Sequence, residues 1–313
     1  MSLSTTPATR FDSFDVYKTS YKKVGEHEIE ANVLVPKDIK PGKCPVMIKW
    51  HGGGLTAGTA LYPNWFAAYF VPFLHRNNAI AILPNYRLTP ENSGSDILTD
   101  IADFHTWFRE TLPSYLFTKN PSVELDFAHV LVHGDSAGGW CALQSILAQP
   151  QGTFTACFLQ YPVTSAFPTS PDDILMGQSI PPKSTLDAFI ASIPPGSITS
   201  SAMPPARAWL APMLRAHGRW EEFFGEGKHV MPDTAVTDAG FWVPMWIVHG
   251  RDDSVVSVEW TEKFVERVRG RFPHVRVEVV SPEGDHGFDA ELCEEDAGWL
   301  GELLKGVEGG WLG

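Results

Sequence analysis

One pentapeptide restricts the possible folds of this chain more than any other feature: Gly134-Asp135-Ser136-Ala137-Gly138. The apolar run Val130–His133 leads directly into it, and the mostly small or apolar segment Ser136–Gln149 follows it. This order predicts a buried strand, a very tight turn and a buried helix. Side chains two positions before and after Ser136 would clash in such a turn, so glycine stands at both places. We therefore expect Ser136 to lie at the positive end of a helix.

The remaining apolar runs predict a mostly parallel sheet of the α/β class. Phe14–Ser20 and Glu28–Val35 alternate between apolar and polar residues, which predicts an antiparallel pair with a turn near Gly25. Further along the chain, short apolar runs alternate with segments of helical periodicity, a pattern typical of parallel strands covered by helices on both faces. These runs are Val46–Trp50, Ala79–Leu83, Val130–His133, Thr155–Tyr161, Met245–His249 and Val275–Val280.

A proline-rich segment, from about Thr164 to Ala239, breaks this alternation of strands and helices. It still carries many bulky apolar side chains, and a structureless loop of that length is uncommon within a compact domain. Apolar strands of the same type resume after it. We therefore predict a core formed by residues 1–163 and 240–313, with residues 164–239 as a helical lid inserted after the strand that ends near Tyr161. A separate domain is the alternative.

A second glycine-rich motif, His51-Gly52-Gly53-Gly54, follows an earlier predicted strand. Attack of a serine on a carbonyl group creates an oxyanion, which backbone N–H groups can stabilise where glycines let the chain approach closely. We predict the N–H groups of Gly53, Gly54 and Ala137 as these donors, although the motif does not fix which two of its three glycines serve. An ordinary glycine turn is the alternative, and a phosphate-binding loop would need the Lys-Ser/Thr ending that Leu55-Thr56 lacks.

His286 is the predicted base, because a serine hydroxyl is a weak nucleophile until a base takes its proton. In serine hydrolases with a G-x-S-x-G turn, the nucleophile, the acid and the histidine follow in that order along the chain. Of the 11 histidines, His286 alone follows the last predicted strand, within Gly284-Asp285-His286-Gly287-Phe288.

The predicted acid is Asp253, in His249-Gly250-Arg251-Asp252-Asp253 after the preceding strand. The Gly-x-x-Asp spacing and the apolar Val255-Val256 that follows favour Asp253 over its neighbour Asp252, and Asp285 is a more distant alternative. Its carboxylate would accept the N–H of His286, fix the imidazole tautomer and stabilise the imidazolium.

Taken together, these motifs resemble the hormone-sensitive-lipase-like family of α/β-hydrolases, from about Val46 to the end apart from most of the predicted lid. Pro84-Asn85-Tyr86-Arg87-Leu88-Thr89-Pro90-Glu91 looks like the Asp-Tyr-Arg-Leu-Ala-Pro-Glu segment of that family. The resemblance implies the α/β-hydrolase fold, the chemistry of carboxylesterases, lipases or lactonases, and no cofactor. The chain departs from the family at Asn85, where an aspartate is usual, and at Ser254-Val255-Val256, which looks more like dipeptidyl-peptidase relatives.

Charge and composition exclude several other functions. The formal net charge is −13 and no cluster of Lys and Arg occurs, which argues against a nucleic-acid partner. No apolar run approaches the ~20 residues of a membrane span, and no signal peptide is visible, so we expect a cytoplasmic protein. The four cysteines form no CxxC pair and lie at no metal-ligand spacing, so we expect them to be reduced and structural, and we expect no metal.

The sequence therefore predicts a serine hydrolase that cleaves a small to medium hydrophobic ester or lactone through an acyl-enzyme on Ser136. A peptidase, an amidase or an acyl-transfer enzyme could use the same three residues. A non-catalytic binding protein of the same fold is a further alternative, although such relatives usually lose one of the three. The natural substrate and the oligomeric state, a homodimer included, stay open.

Overall fold

Eight strands form the central sheet of the structure, a computed structural model that describes residues 5–166, 168–227 and 230–313. A two-stranded sheet, β7 with β8, is separate from it. The strands are β1 (Phe14–Val24), β2 (His27–Pro36), β3 (Gly42–Trp50), β4 (Ile80–Pro84), β5 (Val123–Asp135), β6 (Ala156–Gln160), β7 (Ile174–Leu175), β8 (Gln178–Ser179), β9 (Met245–Val248) and β10 (Val277–Val280). Across the central sheet their order is β1-β2-β4-β3-β5-β6-β9-β10.

The sheet is mostly parallel, as the apolar runs predicted. Strand β2 is antiparallel to β1 and to β4, and every other neighbouring pair is parallel. The predicted hairpin is confirmed, since Phe14 lies opposite Pro36 and Val24 opposite His27. Because β3, β5, β6, β9 and β10 run in the same direction, the loops that follow them all leave from one edge of the sheet.

The described residues form ten α-helices, and several of them cover the two faces of the sheet. They are α1 (Phe70–Arg76), α2 (Gly94–Glu110), α3 (Leu112–Lys119), α4 (Ala137–Ala148), α5 (Lys183–Ser192), α6 (Leu210–Ala216), α7 (Trp220–Phe224), α8 (Pro232–Ala235), α9 (Val258–Arg271) and α10 (Gly298–Leu312). Successive side chains of a strand point to opposite faces. Accordingly, Ile48 of β3 is buried with apolar residues of α2, α4 and α9, whereas Met47 is buried with those of α1 and α10. The predicted three-layer arrangement is confirmed.

Two strands begin earlier than the apolar runs indicated. Strand β3 begins at Gly42 and β5 at Val123, and these first halves pair with each other as far as Pro45 opposite Asp126. In this part of the sheet, exposed polar residues such as Lys43 and Glu124 alternate with buried ones. Unbroken apolar runs therefore do not reveal the first halves of these two strands.

The insertion, residues 164–239, contains β7, β8 and helices α5 to α8. It packs on the core, because Leu210 and Ala211 of α6 are buried in the same apolar cluster as Ile48. An ion pair between Arg207 and Glu91, 2.6 Å from Nη2 to Oε2, also joins the two parts. That the insertion acts as a lid stays a prediction. Residues 1–4, 167 and 228–229, which fall within the predicted core and lid, lie outside the described residues.

Candidate active site

Ser136 lies in the tight turn between β5 and α4. Its backbone has φ 52° and ψ −118°, in the left-handed range of φ that a residue with a side chain rarely adopts. A Cβ atom at position 134 would lie 2.0 Å from the carbonyl oxygen of Gly138, and one at position 138 would lie 2.2 Å from that of Trp50. Both contacts are impossible. The two glycines therefore permit the turn that presents Ser136 at the edge of the sheet.

The structure brings the three side chains predicted for catalysis into one hydrogen-bonded chain. His286 Nδ1 lies 2.7 Å from Asp253 Oδ2, and His286 Nε2 lies 3.0 Å from Ser136 Oγ. Because an ionised carboxylate only accepts hydrogen bonds, Nδ1 carries the proton of the neutral imidazole. Nε2 is then left to accept the hydrogen bond of the Ser136 hydroxyl, as a general base must.

Asp253 is held in its ionised form. Its side chain is fully buried, which alone would raise its pKa, but hydrogen bonds from His249 and His286 and from the Val256 amide hold the pKa well below its usual range. Its Oδ1 accepts the backbone N–H groups of Val255 and Val256 at 2.9 and 2.8 Å. These contacts leave Oδ2 directed at the imidazole.

The two alternative acids have other contacts. Asp252 is exposed, and its carboxylate accepts the N–H of Gly284 at 3.2 Å. Asp285 accepts the backbone N–H groups of Ser254 and His286 at 2.8 and 2.7 Å. Partial burial would raise the pKa of Asp285, and these hydrogen bonds lower it below its usual value. Both carboxylates therefore join the loop after β9 to the histidine loop, which we define as residues 284–290.

We use the name oxyanion loop for residues 51–58, which include the predicted donors Gly53 and Gly54. This loop runs beside Ser136, since a Cβ atom at Gly52 would lie 3.3 Å from the Cβ atom of Ser136. The N–H of Gly52 donates to Asp135 Oδ2 at 3.0 Å, so it is already engaged. Within the described parts of the chain, no acceptor is found for the N–H groups of Gly53, Gly54 or Ala137. Gly53 has φ 107°, and a Cβ atom there would lie 2.2 Å from the carbonyl oxygen of Ala57. The geometry thus leaves the predicted donors available to a ligand.

Sequence reasoning missed the anchor of the oxyanion loop, the buried ion pair between Lys49 and Asp135. Asp135 uses one carboxylate oxygen for Lys49 and the other for the Gly52 N–H. It thereby ties the end of β3 to the residue that precedes Ser136. The available signal was the acidic residue inside the G-x-S-x-G motif together with a lysine in an otherwise apolar strand.

Tyr86 holds the same loop, and Asn85 holds the residues that follow it. Asn85, which replaces the usual aspartate of the family it resembles, accepts the N–H of Ala60 through Oδ1 at 2.7 Å. The Tyr86 hydroxyl donates to the carbonyl oxygen of His51 at 2.7 Å, and the two rings stack with centroids 4.4 Å apart. The asparagine thus still serves as a hydrogen-bond acceptor at this position.

A buried carboxyl group of the histidine loop, that of Asp289, was also missed. Asp289 Oδ2 accepts hydrogen bonds from the Tyr69 hydroxyl at 2.9 Å and from Gln160 Nε2 at 2.7 Å. Complete burial raises the pKa of Asp289, although these hydrogen bonds oppose the shift. The ring of Tyr161 lies 4.6 Å from that of His286. This cluster fixes the histidine loop to the end of β6.

A cavity of about 310 Å³ lies between the core and the insertion, and its lining includes neighbours of Ser136 but not Ser136 itself. Its core wall includes Leu55, which follows the oxyanion glycines, and Val163, whose N–H donates to the carbonyl oxygen of Ser136 at 2.9 Å. Trp140, one helical turn after Ser136, completes this wall. The opposite wall belongs to the insertion, with Arg215 among its residues.

Neither a metal-binding cluster nor a membrane-crossing helix is found in the described part of the chain. In residues 5–166, 168–227 and 230–313, no cluster of three or more His, Cys, Asp or Glu side chains could hold a metal ion. The same ranges contain no helix with the length and apolar character that crossing a bilayer requires. The four cysteines form no disulfide within the described residues, and three of them are buried.

A family profile and a full-length relative assign the chain to the same family. Residues 47–218, more than half of the chain, match the profile of a family described as alpha/beta hydrolase fold. The protein named Probable carboxylesterase M8 from Phoma sp. is 30% identical over 301 residues, which cover 92% of this chain and 94% of that protein. Non-reducing polyketide synthase Preu6 from Preussia isomera is 23% identical over 338 residues, which cover 95% of this chain but 15% of that protein.

Solved structures resemble this chain in fold. A hyperthermophilic esterase from the archaeon Pyrobaculum calidifontis superposes with a TM-score of 0.62, at 18% sequence identity, over 94% of this chain and 85% of that one. At this level of identity the likeness concerns the fold alone.

Proposed function

The chain belongs to the α/β-hydrolase family, as its motifs predicted, and from this premise we propose that it is a carboxylesterase with Ser136 as its nucleophile. One observation carries the proposal: the imidazole of His286 lies within hydrogen-bonding distance of both Ser136 Oγ and Asp253 Oδ2. The full-length likeness to a protein named a probable carboxylesterase supports it. Its substrate class is a small to medium hydrophobic ester or lactone.

The reaction proceeds in two halves. Ser136 Oγ forms a bond to the ester carbonyl carbon while its proton passes to His286 Nε2, and the carbonyl oxygen becomes an oxyanion. The N–H groups of Gly53, Gly54 and Ala137 stabilise that charge. The bond to the alcohol then breaks as His286 returns the proton to the leaving oxygen. Water repeats the sequence on the acyl-enzyme and releases the carboxylic acid.

Asp253 acts through His286. Its carboxylate stabilises the imidazolium that exists while His286 carries the Ser136 proton, and it keeps Nε2 directed at the hydroxyl. The low pKa of Asp253 suits this role, because the carboxylate stays charged while the imidazole takes up and releases its proton.

Substitution of the nucleophile tests the proposal. For Ser136→Ala we expect kcat with p-nitrophenyl butyrate to fall on the order of 10⁴-fold or more, because no hydroxyl remains to form the acyl-enzyme. Labelling with a fluorophosphonate probe should disappear in parallel. Ser145→Ala is a matched control, since it removes a hydroxyl of the same helix that donates within α4, to the carbonyl oxygen of Cys141. Turnover by Ser136→Ala near the wild-type rate would refute the assignment.

A second candidate, acyl release from a polyketide, is favoured by the likeness of nearly the whole chain to segments of non-reducing polyketide synthases. The same nucleophile would then attack a thioester or an ester of a polyketide acyl group. Hydrolysis of N-acetylcysteamine thioesters, compared with p-nitrophenyl esters of the same acids, distinguishes the two candidates. A higher kcat/KM for the thioesters, after correction for their intrinsic reactivity, would favour acyl release.

A further inference from the structure

We propose that the cavity between the core and the insertion is an acyl pocket that selects an aromatic acyl group carrying an oxygen acceptor, a ketone or a carboxylate. Arg215 and Ser165 would recognise this oxygen. The inference rests on the proposed esterase function, because it concerns the acyl half of the same substrate.

The position of the cavity assigns it to the acyl side. His286 gives its proton to the departing alcohol, so the alcohol leaves on the side of the imidazole. The described lining of the cavity includes no residue of the histidine loop and none of the loop that carries Asp253. The lining begins instead at Leu55, next to the oxyanion glycines, and at Val163, which is bonded to the backbone of Ser136.

Aromatic side chains form much of the wall. The rings of Trp140 and Phe224 meet edge to face at 5.7 Å, and those of Trp220 and Phe224 stack at 4.9 Å. The Trp140 ring is fixed further by a hydrogen bond of 2.7 Å from Nε1 to the carbonyl oxygen of Val230. Rigid aromatic walls favour a flat ligand. A volume of about 310 Å³ lies at the lower end of the roughly 300–1,000 Å³ of ligand pockets, so a single substituted ring suits it better than a long chain.

Four polar side chains interrupt this apolar lining: Thr169, Glu221 and the two that would recognise the ligand oxygen, Ser165 and Arg215. Ser165 is 4% exposed, and its hydroxyl has no hydrogen-bond partner among the residues that the structure describes. A buried hydroxyl without a partner is costly, so a ligand oxygen that bonds it would gain affinity.

The second of these two side chains, Arg215, carries a charge. Its guanidinium lies over the ring of Trp220 at 4.5 Å. Burial lowers the pKa of Arg215 to about 10, which still leaves it protonated at neutral pH. With five N–H donors, a guanidinium can bind a ligand oxygen in addition to its contacts within the protein. Glu221 also lines the cavity but is exposed to solvent, which screens its charge.

Matched substrates test the proposal. We expect kcat/KM to rise about tenfold or more from p-nitrophenyl phenylacetate to its 4-acetyl and 4-carboxy derivatives, with the larger gain for the charged group. Arg215→Met should reduce this preference about 10- to 100-fold, and Ser165→Ala about threefold to tenfold. Arg215→Lys, which keeps the charge but loses the planar fork, should retain part of it. Arg219→Met, at a nearby arginine paired with Glu222 and Asp187, should leave the preference unchanged.

Binding of the free acids separates this proposal from the proposed function. Calorimetry with phenylacetate and 4-carboxyphenylacetate should show tighter binding of the second to the wild type and to Ser136→Ala, but not to Arg215→Met. If no ester is turned over while this discrimination persists, the esterase function fails and the pocket stands. If esters are turned over and neither ring substituent raises kcat/KM, or the preference survives in Arg215→Met, the pocket proposal is wrong.

Discussion

The oxyanion loop and the histidine loop flank Ser136, and each is held by a buried carboxyl group. At the oxyanion loop, Asp135 of β5 faces the charge of Lys49 as well as the N–H of Gly52. In the histidine loop, Asp289 faces the hydroxyl of Tyr69 and the amide of Gln160, both neutral. Its Oδ1 has no hydrogen-bond partner in the described residues.

This difference means that the two loops depend on different forces. A buried ion pair is sensitive to the loss of either charge, because the remaining charge is then buried alone. A carboxyl group among neutral donors is biased towards its protonated form, as the raised pKa of Asp289 indicates. The oxyanion loop should therefore depend on charge, and the histidine loop on hydrogen bonds.

The largest expected effect is that of Asp135→Asn. This substitution leaves the ammonium group of Lys49 buried without its counter-charge, so we expect the free energy of unfolding to fall by about 3–5 kcal/mol. Urea unfolding at pH 7 measures it. The control is the double variant Asp135→Asn with Lys49→Met, which should recover much of the loss because the unpaired charge is gone. If Asp135→Asn costs no more than Asp289→Asn, the distinction between the loops is wrong.

Removing the hydroxyl group of either of two tyrosines, one at each loop, should reduce stability by a smaller amount. Tyr86→Phe removes a hydrogen bond to the carbonyl oxygen of His51, and Tyr69→Phe removes one to Asp289. If Asp289 is neutral, both bonds join uncharged groups, and each variant should lose about 0.5–1.5 kcal/mol of unfolding free energy in urea at pH 5. A hydrogen bond to an ionised carboxylate would cost about 1.5–3 kcal/mol. A clearly larger loss for Tyr69→Phe would thus contradict a neutral Asp289.

The residues that could be predicted from sequence are those with a local signal. Ser136 is surrounded by glycines that a tight turn requires, and His286 follows the last strand, where the chain returns over the edge of the sheet. Asp253 was separated from Asp252 by the spacing after Gly250, and the structure directs Asp253 alone of the two at the imidazole. The alternation of apolar strands and amphipathic helices likewise predicted the layered fold.

The supporting residues lack such a signal, because their roles depend on contacts between distant parts of the chain. Tyr69 and Asp289 are 220 positions apart, and Lys49 and Asp135 are 86 apart. The position of a single lysine or aspartate in the sequence identifies neither its partner in the structure nor the loop that the pair holds. The same holds for Ser165 and Arg215, which meet the same cavity only after the insertion has packed on the core.

The smallest expected effect is a difference in pH dependence between the wild type and Asp289→Asn. The pKa of Asp289 is raised in the folded state, whereas an unfolded aspartate has a pKa of about 3.9. Above about pH 4 the unfolded chain therefore binds fewer protons at this position, and the wild type loses stability as the pH rises towards the folded pKa. The asparagine of the variant cannot titrate, so the stability of the wild type relative to the variant should decline from pH 4.5 to pH 6.5. Asp253 does not obscure this trend. Its pKa is depressed, so its contribution to stability is fully present above about pH 4 and is lost only at lower pH.

Urea unfolding of the wild type and Asp289→Asn at pH 4.5, 5.5 and 6.5 measures the difference in stability. If the stability of the wild type relative to the variant stays constant or grows over this range, Asp289 is ionised throughout.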